Sequence, residues 1–336
     1  MSSVDVIVPC YRYGRYLRKC VVSALSQSGA QVRVLIIDDA SPDNTSEIAS
    51  ELARQDQRIA LIRHRVNRGH IATYNEGLEW GTAKYLLLLS ADDFLLPGAL
   101  HRATSLMEKY PVVGFVFGKV LRLTADGTLC TQALPPNLLR RNEQFRILGG
   151  IDFIKFSAAE NIVPSPTAVV RTDLQRKIGG YRSDLPHAGD MEMWLRLASH
   201  AAVGVLNVRQ AVYRLHDANM SSAYFGDNRL RDLEQRKAAL DHFFAYTRAT
   251  KELQRRLSFA LARDAVMSAS GAFNEGASDL SQRIGRFARE LYPDIRMSPC
   301  WLRLMFKRAV GQQASLVLRY AYSTAANFCK SFTQNS

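Results

Sequence analysis

The 336-residue chain is poor in cysteine: Cys10, Cys20, Cys130, Cys300 and Cys329 are scattered and form no CxxC pair. That scatter argues against a disulfide framework and a zinc site, and for a reducing compartment. No stretch reaches the roughly 18 apolar residues needed to cross a bilayer, so no transmembrane helix is expected. The opening segment, MSSVDVIVPCYRYGRYL, enters a strand-like run at once, without a basic region and longer apolar core before it, and no signal peptide is expected. Also missing are GxGxxG after the first strand, GxxxxGK(S/T) and HExxH. Dinucleotide oxidoreductase, P-loop NTPase and zinc protease readings lose their main support with them. A nucleotide, if one is bound, must be held by side chains rather than by a glycine-rich loop.

What is present can fill a large core: 47% of residues are hydrophobic, in a length that suits one large domain or two ordinary ones. Apolar strand-like runs alternate with helical stretches over the first ~110 residues, the pattern of a parallel sheet built from βα units. Strands are expected at Val4 to Val8 (ended by Pro9), Val32 to Ile37, Ile59 to Arg63 and Tyr85 to Leu89. Further strands are expected at Val112 to Leu123, with a turn at Ala125-Asp126-Gly127, at Ala168 to Val170, and at an edge position at Ala211 to Arg214. From Tyr224 onward the pattern is helical, ending in an expected helix from Trp301 to Phe328. That last third carries 18 Lys+Arg against 10 Asp+Glu, and after Asp294 no acidic residue remains while Arg296, Arg303, Lys307, Arg308, Arg319 and Lys330 do. Excess positive charge implies anionic partners: a membrane surface, nucleic acid or phosphorylated ligands.

The chemistry-bearing residues follow strands. In YLLLLSADDFLLP, a run with the character of a strand buried on both faces stops at Asp92-Asp93. Open α/β sheets bind ligands at that end of their strands. Adjacent carboxylates there repel unless a cation lies between them and an anionic ligand, and Mg²⁺ or Mn²⁺ bridged to a diphosphate is the simplest such arrangement. The same pair serves equally well as a helix cap or a solvated turn. Tyr11 and Asp39 also follow strands, and a parallel sheet would bring them to the same edge. Further on, HAGDMEMWLRLA has helical spacing with Asp190 at its start, where a carboxylate is either an N-cap or a general base over a cleft. His216, in LHDANMS, is a structural loop histidine, a metal ligand or a phosphate donor. Thr131 to Asn142 reads as a surface loop.

Six segments in order over the first ~220 positions, VIVPCYRYGRYL, IIDDASPDNT, NRGHIATYNEGL, SADDFLLP, HAGDMEMWLRL and YRLHDANMS, resemble the family 2 glycosyltransferases with the A-type nucleotide-sugar fold. The resemblance implies a mostly parallel, Rossmann-like sheet flanked by helices in a catalytic domain at 1–223, its nucleotide half about 1–110 and its acceptor half about 111–223. A basic helical region, 224–336, would follow. It implies that Pro9, Tyr11 and Asp39 line the base pocket, with Asp39 accepting from the ring N–H of uracil or thymine. Asn67, Arg68 and Asn75 would line the nucleotide, Asp92 the ribose, and Asp93 the divalent metal, with His216 near the metal or diphosphate. Asp190 would be the base and Trp194 would shape the acceptor side. Many members carry Glu-Asp where this chain has Gly189-Asp190, which keeps the base and alters the acceptor contacts.

The function implied is metal-dependent (Mn²⁺ or Mg²⁺), inverting transfer from a UDP- or dTDP-sugar to a hydroxyl of a glycan or lipid-linked acceptor, in cell-surface polysaccharide synthesis. A cytoplasmic location is expected, with peripheral membrane contact through a basic amphipathic segment in which Leu302, Met305, Phe306, Ala309 and Val310 share a side. Two competing readings are a nucleic-acid-binding module and a nucleotidyltransferase. The first lacks a reader motif, so no nucleic acid is expected; the second lacks a glycine-rich phosphate loop after the first strand.

Overall fold

The structure is a computed structural model that describes residues 1–140, 142–217, 219–224 and 226–313. The chain divides into two compact units, Met1–Ser222 with Ala238–Ala249, and Ala223–Lys237 with Thr250–Ser336.

The first unit opens with β1 (Ser2–Cys10), α1 (Gly14–Leu25), β2 (Ala30–Asp38), α2 (Thr45–Gln55), β3 (Ile59–Arg63), α3 (His70–Trp80) and β4 (Tyr85–Leu88). It continues with β5 (Phe94–Leu95), α4 (Ala99–Lys109), β6 (Val113–Leu123), β7 (Leu129–Gln132), β8 (Phe145–Leu148) and α5 (Gly150–Ser157). Then come β9 (Val169–Arg171), α6 (Thr172–Ile178), α7 (Gly189–Ala198) and β10 (Ala202–Arg214). All strands join one sheet, in the order β3-β2-β1-β4-β9-β6-β10-β5, with β7 added to β6 and β8 to β10. Its first four strands are parallel; beyond β4 the sheet is mixed, since β9 runs antiparallel to both β4 and β6 while β6 and β10 run parallel.

Both faces of the parallel part are covered, which is why its strands read as continuous apolar runs. Successive side chains of β1 point to opposite faces. Val4, Val6 and Val8 therefore join Leu17 and Val21 of α1, Ala49 and Leu52 of α2, and Leu100 and Met107 of α4. On the other face Ile7 joins Leu35, Ile37 and Leu86, with Leu78 and Trp80 of α3 packed against them. Helix α3 sits so close that a Cβ on Gly77 would collide with the Ile7 side chain. Only glycine permits that approach.

Two strand expectations need correcting. Pro9 does not end β1; it lies in register with Ile37 of β2. On its other side the pairing with β4 has stopped at Ile7↔Leu88, so the N–H that proline lacks has no ladder partner to lose. Ala211 to Arg214 is not an edge strand but the end of β10, a 13-residue strand paired with β6 on one side and with β8 and β5 on the other. Register shifts near Leu206, Arg209 and Ala211 break its alternation, which hid its first half in the sequence.

α8 (Arg229–Thr247) contributes residues to both units. The second unit is further built from α9 (Lys251–Asn274), α10 (Ser278–Leu291) and α11 (Pro299–Val310). Leu257, Leu261, Ala265, Ile284, Ala288, Ile295, Trp301 and Leu304 are among its buried residues. The hydroxyls of Thr250 and Ser298 cap α9 and α11, accepting the N–H of Leu253 and Trp301, each cap worth about 1 kcal/mol. α11 stops at Gly311, whose positive φ suits glycine at a helix end. The rest of the expected helix, with Arg319 and Lys330, lies outside the described residues. No described helix is long and apolar enough to cross a membrane.

Candidate active site

The parallel strands deliver Tyr11, Asp39 and the Ser90–Asp93 segment to one edge of the sheet, and a cavity of about 850 Å³ opens there. Pro9, Tyr11, Asp39 and Asn67 line it, as do Tyr74 and Ser90. Asp39 is only 3% exposed, and local backbone holds its carboxylate in place. Oδ1 accepts the Arg68 N–H at 2.7 Å, Oδ2 accepts the Gly69 N–H at 2.9 Å, and Asn67 Nδ2 donates to the Asp39 carbonyl at 3.2 Å. Arg68 thus reaches this site through its backbone; its guanidinium turns to Glu76, at 2.9 Å.

Asp92 and Asp93 are buried side by side. Burial pushes the Asp93 carboxyl well above the usual carboxylate range and the neighbouring Asp92 pushes it further, while the Arg214 N–H, bonded to Oδ1 at 2.9 Å, works the other way. His216 meets Asp92 rather than Asp93, with Nε2 3.1 Å from Asp92 Oδ2; Asn219 Nδ2 donates to the same oxygen at 3.3 Å. The imidazole is stacked on Tyr16, with ring centroids 5.6 Å apart, and stands edge-on to Tyr13 at 5.5 Å. Its Nδ1 is buried without a hydrogen-bond partner.

Asp190 lies in the first turn of α7, where Ala188 takes the N-cap position, so capping does not account for it. The Ser165 hydroxyl donates to Asp190 Oδ2 at 2.5 Å and the Tyr181 hydroxyl bonds the same carboxylate. Tyr74 connects the two ends of the site. Burial first, and then the charges of Asp190, Asp92, Tyr13 and Asp93, push its phenol upward. His70 and Tyr181 stand edge-on to Tyr74, each with a ring-centroid separation of 5.4 Å.

Two expected site residues are elsewhere. Trp194 is 5% exposed and stacks on Phe115 at 5.5 Å, because the inner side of α7 packs on β6; it belongs to the aromatic core and not to an acceptor surface. Asn75 does not line the cavity. Its amide spans the Tyr181 backbone, donating to the carbonyl at 2.9 Å and accepting the N–H at 2.7 Å, which clasps the 180–181 turn to α3. Conversely His64, Tyr74, Glu76, Ser165 and Tyr181 had no signal in the sequence. Their spacing matches no motif, and only folding brings them to the carboxylates.

Residues 5–156 match the model of the family described as Glycosyl transferase family 2. The chain is 30% identical over 209 residues to "Uncharacterized protein MT1568" of Mycobacterium tuberculosis (strain CDC 1551 / Oshkosh), covering 60% of this chain and 63% of that one. It is 24% identical over 225 residues to an uncharacterized glycosyltransferase of Haemophilus influenzae, covering 66% and 68%. The match therefore spans less than two thirds of the first relative's length and just over two thirds of the second's. Among solved structures, S. aureus TarS 1–349 in complex with UDP-GlcNAc is similar with a TM-score of 0.60 at 17% identity, over 92% of both chains. That likeness concerns the fold. Residues 5–156, a little under half of the chain, are thus similar to glycosyl transferase family 2, and the α/β sheet has the fold of the TarS structure.

Proposed function

We propose that the chain moves a sugar from a nucleoside-diphosphate donor of the UDP or dTDP kind to a hydroxyl of a glycan or lipid-linked acceptor, with inversion, in the synthesis of a cell-surface polysaccharide. The observation that carries this reading is the cavity lined by Pro9, Tyr11, Asp39 and Tyr74 at the ends of the parallel strands, with the Tyr74 ring 5.4 Å from that of Tyr181. Asp39 would receive the base and the floor at Pro9 and Tyr11 would support it. Asp190, oriented by Ser165 and Tyr181, would take the proton from the acceptor hydroxyl as it attacks the anomeric carbon, a contribution of about 10²–10⁴-fold. A single in-line displacement inverts the sugar's configuration.

A divalent cation fits the residues beside the donor's diphosphate. Among the described residues no group of three His, Cys, Asp or Glu is arranged around a metal. Mg²⁺ and Mn²⁺ sites of this kind need only one or two protein ligands, because phosphates and water complete the shell. Asp92 Oδ2 and His216 Nε2 lie 3.1 Å apart, close enough for both side chains to hold one cation. Asp92 and His216 are therefore the residues we would assign to the metal, with the likewise buried Asp93 beside Asp92 in the chain. When bound, the cation would offset the negative charge that builds on the departing diphosphate.

Product analysis with a panel of nucleotide sugars tests the reading. Release of nucleoside diphosphate together with sugar transfer is expected, whereas release of pyrophosphate would favour a nucleotidyltransferase and end it. For the acceptor side, α11 turns Leu302 and Phe306 outward, 59% and 58% exposed, next to Arg303 and in a stretch without acidic residues after Asp294. We take this as the place of peripheral contact with an anionic membrane. Co-sedimentation with anionic vesicles, lost in Leu302→Asp/Phe306→Asp, is expected; equal binding by both proteins would remove it.

A further inference from the structure

Asp39 does not stand alone at its end of the cavity. His64, whose side chain is 5% exposed, lies between two carboxylates, with Nδ1 2.6 Å from Asp39 Oδ1 and Nε2 2.6 Å from Glu76 Oε2. Each ring nitrogen of His64 thus meets one carboxylate oxygen, so the imidazole bridges the two carboxylates. Glu76 Oε2 also takes the Arg68 guanidinium at 2.9 Å, and the Arg68 backbone N–H returns to Asp39 Oδ1 at 2.7 Å. Asp39, His64, Glu76 and Arg68 thus form a closed ring of hydrogen bonds.

The ring allocates the lone pairs of Asp39. Oδ1 receives two donors, His64 and the Arg68 N–H, and is filled; Oδ2 receives one, the Gly69 N–H at 2.9 Å. One directed acceptor position is left, on a carboxylate that lines the cavity. We propose that His64, held by Glu76, is a positioning residue that fixes Asp39 so that Oδ2 alone faces the base. The site thereby selects pyrimidines with a ring N–H, uracil and thymine, over cytosine, whose ring nitrogen at that place is bare. A site built around one hydrogen bond discriminates strongly because the wrong partner leaves a buried polar group unpaired. This inference rests on the nucleotide reading above.

The experiment is calorimetric titration of the full chain with UDP and CDP, for the wild type, His64→Gln and Glu76→Gln, with kcat and donor KM measured alongside. Glutamine at 64 can donate to only one of the two carboxylates. It is expected to weaken UDP binding about tenfold, bring the UDP:CDP affinity ratio close to one and raise KM with kcat nearly unchanged. Glu76→Gln, at a partly exposed position, is expected to shift the same ratio in the same direction by a smaller factor. Variants that bind UDP as well as the wild type and keep its preference overturn the inference and leave the nucleotide reading intact. A wild type that binds neither nucleotide overturns both.

Discussion

Two of the chain's parallel strands lead into the same dipeptide, and the two pairs have different surroundings. After β2, Asp38 accepts the Ser41 N–H at 3.0 Å and Asp39 is met by two backbone N–H groups and the His64 ring. Every charge there is answered before a ligand arrives. After β4, Asp93 has one backbone donor, its carboxyl is pushed well above the usual range, and its neighbour Asp92 has only His216 and Asn219. One pair is held by the backbone with a single acceptor position left open; the other is buried with the Arg214 charge beside it. The dipeptide alone therefore says little about role, and what decides it is how many N–H groups the next loop turns back onto it.

Variants can break that contrast. The largest effect belongs to the shared centre: Asp190→Asn should lower kcat by about 10²–10⁴-fold and leave donor affinity within a few-fold, by steady-state kinetics and titration. Next come Asp92→Asn and Asp39→Asn, each expected to cost about 10–100-fold in kcat/KM, for different reasons. Raising the divalent cation concentration should recover part of the first loss and none of the second, whereas raising the donor should recover the second. If metal rescues both variants equally, the two pairs are not different in kind. The smallest effect is at Asn75. Because its amide holds a turn and does not line the cavity, Asn75→Ala should lower the melting temperature by about 2–10 °C and leave donor KM nearly unchanged.

The parallel half of the sheet was readable from the sequence because strands buried on both faces are unbroken apolar runs bounded by turn residues, as in Tyr85–Leu88. The mixed half was less so. β5 is two residues long, and the register shifts of β10 scramble the period on which a strand reading depends. Within the site, the place of Asp39 was legible because it directly follows a strand; the contact of His216 with Asp92 was not, since the resemblance gave that histidine only a neighbourhood, the metal or diphosphate. His64 and Glu76 were not, because a hydrogen-bonded ring across four segments leaves no pattern in any one of them. Trp194 was misplaced for a related reason. Helical spacing gives the face of α7 on which it lies and not what that face meets.

The close seating of α3 on β1 has a consequence for anyone who mutates this protein at random. Gly77 touches no proposed ligand, yet any side chain there must push the helix off Ile7 and Ile37. Glu76 and Asn75 precede it directly, so the displacement would loosen the ring around Asp39 and release the turn that carries Tyr181. Inactivating changes at position 77 would then cluster with those at the acidic residues in a genetic screen, although nothing reacts there.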